Sequence, residues 1–343
     1  GPDFSCRRKE QRFDRRNERT MNEIKKLPLG IFPTPVQELR SFREILGEDR
    51  RLFLKRDDLC GIGFGGNKVR KLEYLLADAL EKQCDCIVTG GGSLSNQPIA
   101  AAACAAKAGL KMHLVLPEAT GAMLQNAAML FGAELHLIER SADVPKYIRQ
   151  MAKALQTKGC RPYIIPPGAP GVHGVLGYAD ATRELHEQMV GTPVHHVLCC
   201  GATGNTYAGL VLGAKLYSPG TQVTAVSIAR RFTHKQTLCK MANEAAALLN
   251  RGAEVCEEDL HIYFCSGKGA GDATPKGWSA IECAARAEGI LFDPIYTGKA
   301  FAGLLELNAQ GYFAPEQNIV FFHTGGMAVL FQSLSKDAAA ETG

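Results

Sequence analysis

Short runs of β-forming residues alternate with helix-like segments along most of the chain, and this alternation limits the possible folds more than any other feature. The predicted strands are 52–55, 86–89, 112–116, 134–138, 163–165, 196–200, 222–227, 262–265 and 319–323. The predicted helices between them are 69–83, 99–108, 125–131, 146–157, 177–189, 207–217, 236–250, 277–288 and 300–308. Because such alternation usually forms parallel sheets covered by helices on both faces, the sequence predicts an α/β protein.

The composition is that of an ordinary globular protein. Of 343 residues, 46% are hydrophobic and 22% are charged, which excludes disorder, collagen and coiled coil for the bulk of the chain. The net charge is +4, and residues 1–20 contribute +3 of it. Since the remainder is nearly balanced, we expect no nucleic-acid partner and no binding to an anionic membrane. The uncharged stretch 189–214 could span a bilayer, but its glycines, proline and histidines favour a strand–loop–helix unit.

The start of the chain and the cysteine spacing bear on the cellular location of the protein. The basic residues 1–20 are not followed by an apolar run, so we predict no signal peptide. Gly1-Pro2 resembles the scar of a removed tag, and residues 1–20 are predicted to be a disordered leader or tag remnant. The 12 cysteines include no pair of C-x-x-C spacings, so we expect no structural zinc or other metal site. Reduced cysteines predict a cytoplasmic protein.

A glycine-rich turn, residues 61–66, leads into a predicted helix and places Asn67 and Lys68 at its start. Asn67 can cap the helix, in which case Lys68 is a solvated charge. A cation at a helix N-terminus opposes the helix dipole, however, and is better explained when its amine is neutralised in a Schiff base. The spacing leaves both interpretations open.

Two further loops run from a strand into a small-residue helix. In the loop 89–98, glycines precede Ser95 and Asn96, either of which can cap the helix. Backbone N–H groups at such a turn also bind carboxylates and phosphates. The loop 200–206 offers glycines and threonine hydroxyls to a phosphate, although a plain tight turn is also compatible. It lacks the lysine of a P-loop and the spacing G-x-G-x-x-G, which disfavours ATP and NAD.

Polar residues also follow two later strands, in the segments 293–299 and 323–326. Open α/β sheets bind ligands at the carboxyl ends of their strands, so both segments are candidates for a site. His323 by itself is more typical of a buried structural histidine. The pair His195-His196 lacks a third ligand at metal-binding spacing, and we interpret it as structural as well.

The motifs occur in an order that resembles one enzyme family. They are LFLKRDDL, GGNKVRKLEYLLADAL, SNQ, LGY, the loop 201–206, LFDPIYTGKAFAGL and FFHTGG. This order resembles the pyridoxal-phosphate enzymes that include D-cysteine desulfhydrase and 1-aminocyclopropane-1-carboxylate (ACC) deaminase, over about residues 30–332. The resemblance implies a two-lobed α/β fold of type II, like tryptophan synthase β, with pyridoxal 5′-phosphate between the lobes. The small lobe would be residues 65–172, and the large lobe 21–64 with 173–343.

The resemblance also implies roles for individual residues. Lys68 matches the lysine that holds the cofactor as a Schiff base, and with Ser95 and Tyr296 it is an expected catalytic residue. Asn96 matches the amide beside the phenolic oxygen of the cofactor, and Thr324 the hydroxyl at its pyridine nitrogen. The expected phosphate-binding residues are Gly201, Ala202, Thr203, Gly204, Asn205 and Thr206. The expected substrate-binding residues are Ser95, Asn96, Gln97 and Lys268.

The implied reaction is α,β-elimination from a small amino acid with a leaving group on Cβ, as in a D-cysteine desulfhydrase. Thr297 favours this branch, because ACC deaminases carry Glu directly after the tyrosine of DPxY. Ser95-Asn96-Gln97 instead follows the deaminases, so an ACC deaminase, a racemase and a pyridoxal-phosphate-binding paralogue without turnover stay open as alternatives. Family members are usually dimers, and we expect a homodimer.

One departure from the family concerns the loop before Trp278. Family members place a tyrosine in a P-G-Y-G-like turn, where this chain has Ser266-Gly-Lys268-Gly. Lys268 either points into water or takes the place of the tyrosine at the substrate. In the second case its ammonium would favour an acidic Cβ substituent, such as the sulfonate of cysteate, because a neutral thiol leaves the charge unpaired.

Overall fold

A computed structural model describes residues 24–47, 49–228, 233–265, 269 and 271–341. Residues 1–20 and Lys268 lie outside this part, so what the sequence predicts for them stays a prediction. The strands of the described part are β1 (Val36–Glu38), β2 (Arg51–Lys55), β3 (Cys86–Gly90), β4 (Lys111–Pro117), β5 (Glu134–Ile138), β6 (Pro162–Ile164), β7 (His196–Gly201), β8 (Gln222–Ser227), β9 (His261–Phe264) and β10 (Asn318–Phe322). Its helices are α1 (Arg43–Leu46), α2 (Asn67–Glu81), α3 (Gln97–Lys107), α4 (Ala122–Leu130), α5 (Val144–Thr157), α6 (Val172–Gln188), α7 (Asn205–Tyr217), α8 (Lys235–Leu248), α9 (Pro275–Glu288), α10 (Thr297–Ala309) and α11 (Met327–Glu341).

The strands form two sheets. The larger has the order β1-β2-β10-β7-β8-β9 and the smaller β5-β4-β3-β6. All neighbouring strands are parallel except β1 and β2. In the larger sheet, β2 from the first part of the chain pairs with β10 from the last part, with Leu52 opposite Ile319. The predicted α/β architecture is therefore confirmed, while the lobe boundaries at 64/65 and 172/173 stay predictions.

Most predicted elements are present, with differences at their ends and in the shortest pieces. The antiparallel edge strand β1 has three residues and follows two prolines, so its sequence carries no periodic signal. Helix α6 begins at Val172, whereas the pattern predicts position 177. Its first turns contain glycines that suggest a loop. Within the described residues, no helix is long and apolar enough to span a membrane.

Glycines in α6 and α7 are required by close backbone contact between helices. A Cβ on Gly177 would lie 2.7 Å from the carbonyl oxygen of Arg70 in α2, and one on Gly209 would lie 2.4 Å from that of Val175. Real Cβ atoms do not approach so closely. The glycines therefore let α6 lie directly against α2 and α7, which places α2 at a fixed distance from the large sheet.

A buried network of four charged side chains joins β2, α2 and α6. Arg70 donates to Asp57 at 2.8 and 2.9 Å and to both carboxylate oxygens of Glu184 at 2.9 Å. Glu184 also pairs with Lys55, and Tyr178 donates to Asp57 at 2.7 Å. Burial alone would raise the pKa of Asp57, but the charge and hydrogen bonds of Arg70, the charge of Lys55 and the hydrogen bond from Tyr178 together lower it. The network holds the N-terminal half of α2 against the large sheet.

Replacing Arg70 with Met should lower the free energy of unfolding by about 3–5 kcal/mol, because Asp57 and Glu184 would stay buried without their shared cation. Urea unfolding followed by circular dichroism measures this. Lys82→Met is the control, since the exposed Lys82, directly after α2, pairs with Asp78 of that helix. It should cost less than about 0.5 kcal/mol. An equally small effect at Arg70 would contradict the role given to the network.

Candidate active site

A cavity of about 590 Å³ opens where several parallel strands end. Its wall is formed by the N-terminus of α2, the loop after β3, the loop after β7 and the turn after β10. Residues 295 and 296, before α10, complete one side. The carboxyl ends of parallel strands are where open α/β sheets bind ligands, so the fold brings the sequence motifs together at this point.

Lys68 reaches the cavity because two glycine turns lie in contact. Gly66 has a φ of +101°, and a Cβ there would lie 2.8 Å from the carbonyl oxygen of Thr324. A Cβ on Gly325 would lie 2.7 Å from the Cα of Gly66. The backbone N–H of Asn67 donates to the Thr324 carbonyl at 3.0 Å. This contact fixes the first turn of α2, and with it Lys68, beside Thr324.

The amine of Lys68 has no hydrogen-bond or ion-pair partner among the described residues. Burial lowers its pKa from 10.5 to about 8. One turn further along α2, Lys71 is also buried, and its pKa is lowered by burial and by the charge of Lys68. Its ammonium lies 5.8 Å from the ring centroid of Tyr178, without a carboxylate partner in the described part of the chain. An amine without a charged partner in the described wall, placed at a helix N-terminus as Lys68 is, favours an anionic or carbonyl-bearing ligand.

The loop after β7 supplies donors for a phosphate. Ala202, Thr203, Gly204 and Thr206 line the cavity. Gly204 is the N-cap of α7, with a φ of +90° and no side-chain cap on the helix, so the first N–H groups of α7 face the loop. The side chain of Asn67 donates to the Thr206 hydroxyl at 3.1 Å, which links this loop to α2.

Two residues predicted for the phosphate site do not line the cavity. Gly201 is the last residue of β7, where it pairs with Ser227 of β8. Asn205 faces the segment before α6: its amide donates to the Ala169 carbonyl at 3.2 Å and accepts from the N–H of Gly171 at 3.3 Å. Asn205 therefore positions that segment from the first turn of α7.

The loop after β3 brings Ser95 and Asn96 to the cavity but not Gln97. Asn96 is the N-cap of α3, yet its side chain makes no capping hydrogen bond. The Gln97 side chain is fully buried and donates to the Thr89 hydroxyl at 3.0 Å and to the Pro166 carbonyl at 2.9 Å. These contacts direct Gln97 into the small sheet, so its predicted contact with substrate has no geometric support.

Tyr296, Thr297 and Thr324 take different positions around the cavity. Tyr296 and Thr324 line it, and the Tyr296 hydroxyl donates to the Leu94 carbonyl at 3.1 Å. Thr297 is fully buried and donates to a carboxylate oxygen of Asp293 at 2.7 Å. Asp293 also accepts from the N–H groups of residues 295–297, which forms the turn that presents Tyr296. His323 is buried and bonded to the Leu291 carbonyl, as expected for a structural histidine.

Few groups of the cavity wall can titrate near neutral pH. Among its described residues there is no aspartate, glutamate, arginine or histidine, and Lys68 is the only lysine. Burial raises the pKa of Cys200, Tyr207 and Tyr296. Lys68 is therefore the one group whose shift moves its pKa toward neutrality, and so the strongest candidate for a nucleophile or base.

Sequence reasoning missed Lys71. Residues three apart in a helix are neighbours, so a second lysine in the otherwise apolar face of α2 was a usable signal.

Protein freed of cofactor should react with added pyridoxal phosphate at a rate that follows the neutral fraction of Lys68. Below pH 8 the amine is mostly protonated, so we expect the rate to rise about tenfold per pH unit and to level off above about pH 8. Stopped-flow absorbance measures the rate. A rise that continues toward the ordinary lysine value of 10.5 would contradict the burial effect on Lys68.

The residues of this cavity suit pyridoxal phosphate. They offer an amine without a partner among the described residues, a helix N-terminus with hydroxyls for a phosphate, and a volume that accommodates a ring with an amino acid. The family model of pyridoxal-phosphate dependent enzymes matches residues 27–325.

Solved structures agree in fold. A structure described as an ACC deaminase homologue is 33% identical, with a TM-score of 0.84 over 92% of this chain and 96% of that one. An L-serine ammonia-lyase from Rhizomucor miehei is 16% identical, with a TM-score of 0.67 over 90% and 98%. A pyridoxal 5′-phosphate-dependent aspartate racemase, also 16% identical, has a TM-score of 0.66 over 85% and 90%. The last two show likeness of fold alone. The chain belongs to the family of pyridoxal-phosphate dependent enzymes, with a type II fold and pyridoxal 5′-phosphate as its cofactor.

Proposed function

We propose that the protein is a lyase that catalyses α,β-elimination from a small amino acid with a leaving group on Cβ, in the manner of a D-cysteine desulfhydrase. Cysteine and water would give pyruvate, ammonia and hydrogen sulfide. The observation that carries the proposal is the position of Lys68 as the only group of the described cavity wall with a pKa shifted toward neutrality. A reaction of this class needs one amine that both holds the cofactor and moves the α-proton.

The residues of the cavity divide the binding of the cofactor among them. Lys68 would hold it covalently, Ala202 to Gly204 and Thr206 its phosphate, Asn96 its phenolic oxygen and Thr324 its pyridine nitrogen. When bound, the cofactor supplies an electron sink for a carbanion at Cα. A neutral hydroxyl at the pyridine nitrogen, unlike a carboxylate, does not enforce protonation of the ring, which favours rapid elimination over transamination.

The substrate would meet neutral donors and one base. Ser95, Asn96 and the backbone N–H groups of their loop would bind its carboxylate. Lys68, once its amine is free, would take the α-proton, and its depressed pKa keeps a substantial neutral fraction near pH 8. Tyr296 is fixed by its bond to Leu94 and would position the substrate within the cavity.

The second candidate function is the ring opening of an ACC deaminase. The 33% identity with a structure described as an ACC deaminase homologue favours it. Thr297 argues against it, because ACC deaminases carry a glutamate at this position. The Thr297 hydroxyl donates to Asp293 and to the Gly325 carbonyl, which are groups of the protein itself. No other residue of the described cavity wall supplies the missing carboxylate. A cysteate sulfo-lyase, a racemase and a paralogue without turnover are the remaining alternatives.

Lys68→Ala should abolish the visible absorption of the bound cofactor, because the covalent link would be lost. Lys82→Ala, at an exposed lysine directly after the same helix, should keep it. Absorption spectra and borohydride trapping followed by peptide mapping measure the result. If the Lys68 variant keeps a trapped adduct at full stoichiometry, another lysine holds the cofactor.

A substrate panel tests the reaction class. D-cysteine, L-cysteine, β-chloroalanine, cysteate and ACC are each incubated with the holoenzyme, and 2-oxo acids are assayed. We expect pyruvate from at least one substrate with a Cβ leaving group. 2-Oxobutyrate from ACC without pyruvate from the others would reverse the ranking. Bound cofactor with no turnover of any substrate would favour the paralogue without activity.

Lys268 enters the same panel as a specificity residue proposed from sequence. Among the described residues that follow it in sequence, Gly271 lines the cavity and Gly269 accepts a hydrogen bond from Lys299 at 2.9 Å. Lys268→Tyr should lower the kcat/KM for cysteate relative to cysteine by about ten- to hundredfold. An unchanged ratio would remove Lys268 from the proposal.

We also propose a homodimer in a reducing, cytoplasmic compartment. The free thiols of the described cysteines support the compartment, and the family resemblance supports the dimer. Sedimentation equilibrium would measure the oligomeric state.

A further inference from the structure

A cluster of possible metal ligands lies in the smaller sheet, and none of its members lines the cavity. His113 is on β4, while Glu134 and His136 are on β5. The two strands are parallel, with His113 opposite Glu134 and Val115 opposite His136. Residues in register on neighbouring strands share a face, as do residues two apart on one strand. The three side chains therefore project from the same face of the sheet.

The ligand atoms of the cluster have the spacing of a tetrahedral metal site. His113 Nδ1 lies 3.3 Å from His136 Nε2. Glu134 Oε2 lies 3.4 Å from the first of these nitrogens, and its other carboxylate oxygen, Oε1, lies 3.5 Å from the second. Zinc bonds of about 2.0–2.1 Å at tetrahedral angles separate ligand atoms by about 3.3–3.4 Å. Both contacts of Glu134 exceed the roughly 2.7–3.2 Å of ordinary N–H···O hydrogen bonds.

We propose that His113, Glu134 and His136 bind one Zn²⁺ ion or a similar divalent transition metal. Two imidazoles and a carboxylate suit zinc, whereas calcium and magnesium prefer oxygen ligands alone. The His113 side chain is 10% exposed and that of Glu134 is 65% exposed, so the cluster opens to solvent on one side. A water molecule would take the fourth position there.

The charges around the cluster act in both directions. Glu134 is the one anion of the cluster, and the nearby charges of Lys111 and Lys158 also act on His113. Glu134 supplies one negative charge to the ion, while the two lysines weaken its attraction. These opposing charges predict a site of moderate affinity.

The position of the cluster gives the metal a structural consequence. β5 is an edge strand of the smaller sheet, paired only with β4 among the described strands. An ion bound by residues of both strands would join the edge strand to its neighbour. Because such an ion binds the folded chain, it would raise the stability by RT ln(1 + c/Kd), where c is the free zinc concentration, and therefore increasingly as free zinc exceeds the Kd.

The test is a zinc titration of the holoenzyme after treatment with a chelator. Calorimetry should show one ion per chain, and the double variant Glu134→Gln, His136→Gln should lose at least about tenfold in affinity. His113 is left in place because it is buried. The double variant Glu139→Gln, His186→Gln carries the same changes at exposed positions outside the cluster and should bind like the wild type. The cofactor absorption and circular dichroism of each variant report that it is folded.

Cobalt separates this site from the cysteines of the chain. Co²⁺ bound by two imidazoles and a carboxylate should give visible d–d bands without thiolate-to-metal charge transfer, and zinc should raise the Tm of the wild type but not of the first double variant. Absence of binding, equal affinity in wild type and first double variant, or a thiolate band would each overturn the proposal. None of these readouts depends on turnover, so the outcome is independent of the proposed lyase activity.

Discussion

The buried pairing of Arg70 with Asp57 and Glu184 is the interaction on which the site depends. It joins β2, α2 and α6 in the interior, where unpaired charges would be too costly. Lys55 balances the second carboxylate, so the group has two cations and two anions. Since Arg70 lies two residues after Lys68 on α2, the same network that stabilises the fold also sets where the reactive amine stands.

Two lysines of α2 differ from Arg70 in their surroundings. Lys68 and Lys71 are buried without carboxylate partners in the described part of the chain, and burial lowers the pKa of both. Their desolvation is a cost that the protein alone does not offset. A cofactor that takes up the amine of Lys68 would remove one of these charges, so its binding and the stability of this region would be coupled. Arg70 is thus paired within the protein, whereas Lys68, two residues before it, has no such partner among the described residues.

The sequence predicts the parts of the site that follow from position along a strand. Lys68, Ser95, Asn96, Thr203 and Thr324 all lie at the cavity, because parallel strands bring their carboxyl ends to one edge. It does not predict the direction in which each side chain of these loops points. Gln97 and Asn205 face interior carbonyls, although their neighbours line the cavity. The cluster of His113, Glu134 and His136 could not be found from cysteine spacing, because its members are histidines and a glutamate on two different strands.

The described cavity wall carries few groups that could distinguish one amino-acid substrate from another. Serine, asparagine and threonine side chains and helix N-termini bind the groups that all amino acids share, the carboxylate and the cofactor-linked nitrogen. Apart from Lys68, which we propose holds the cofactor, no described residue of the wall carries a charge that could select one Cβ substituent over another. Thr297, where the resemblance implies a glutamate in ACC deaminases, donates to the buried Asp293. Within the described wall, the features that can distinguish one Cβ substituent from another are therefore its shape and its neutral side chains.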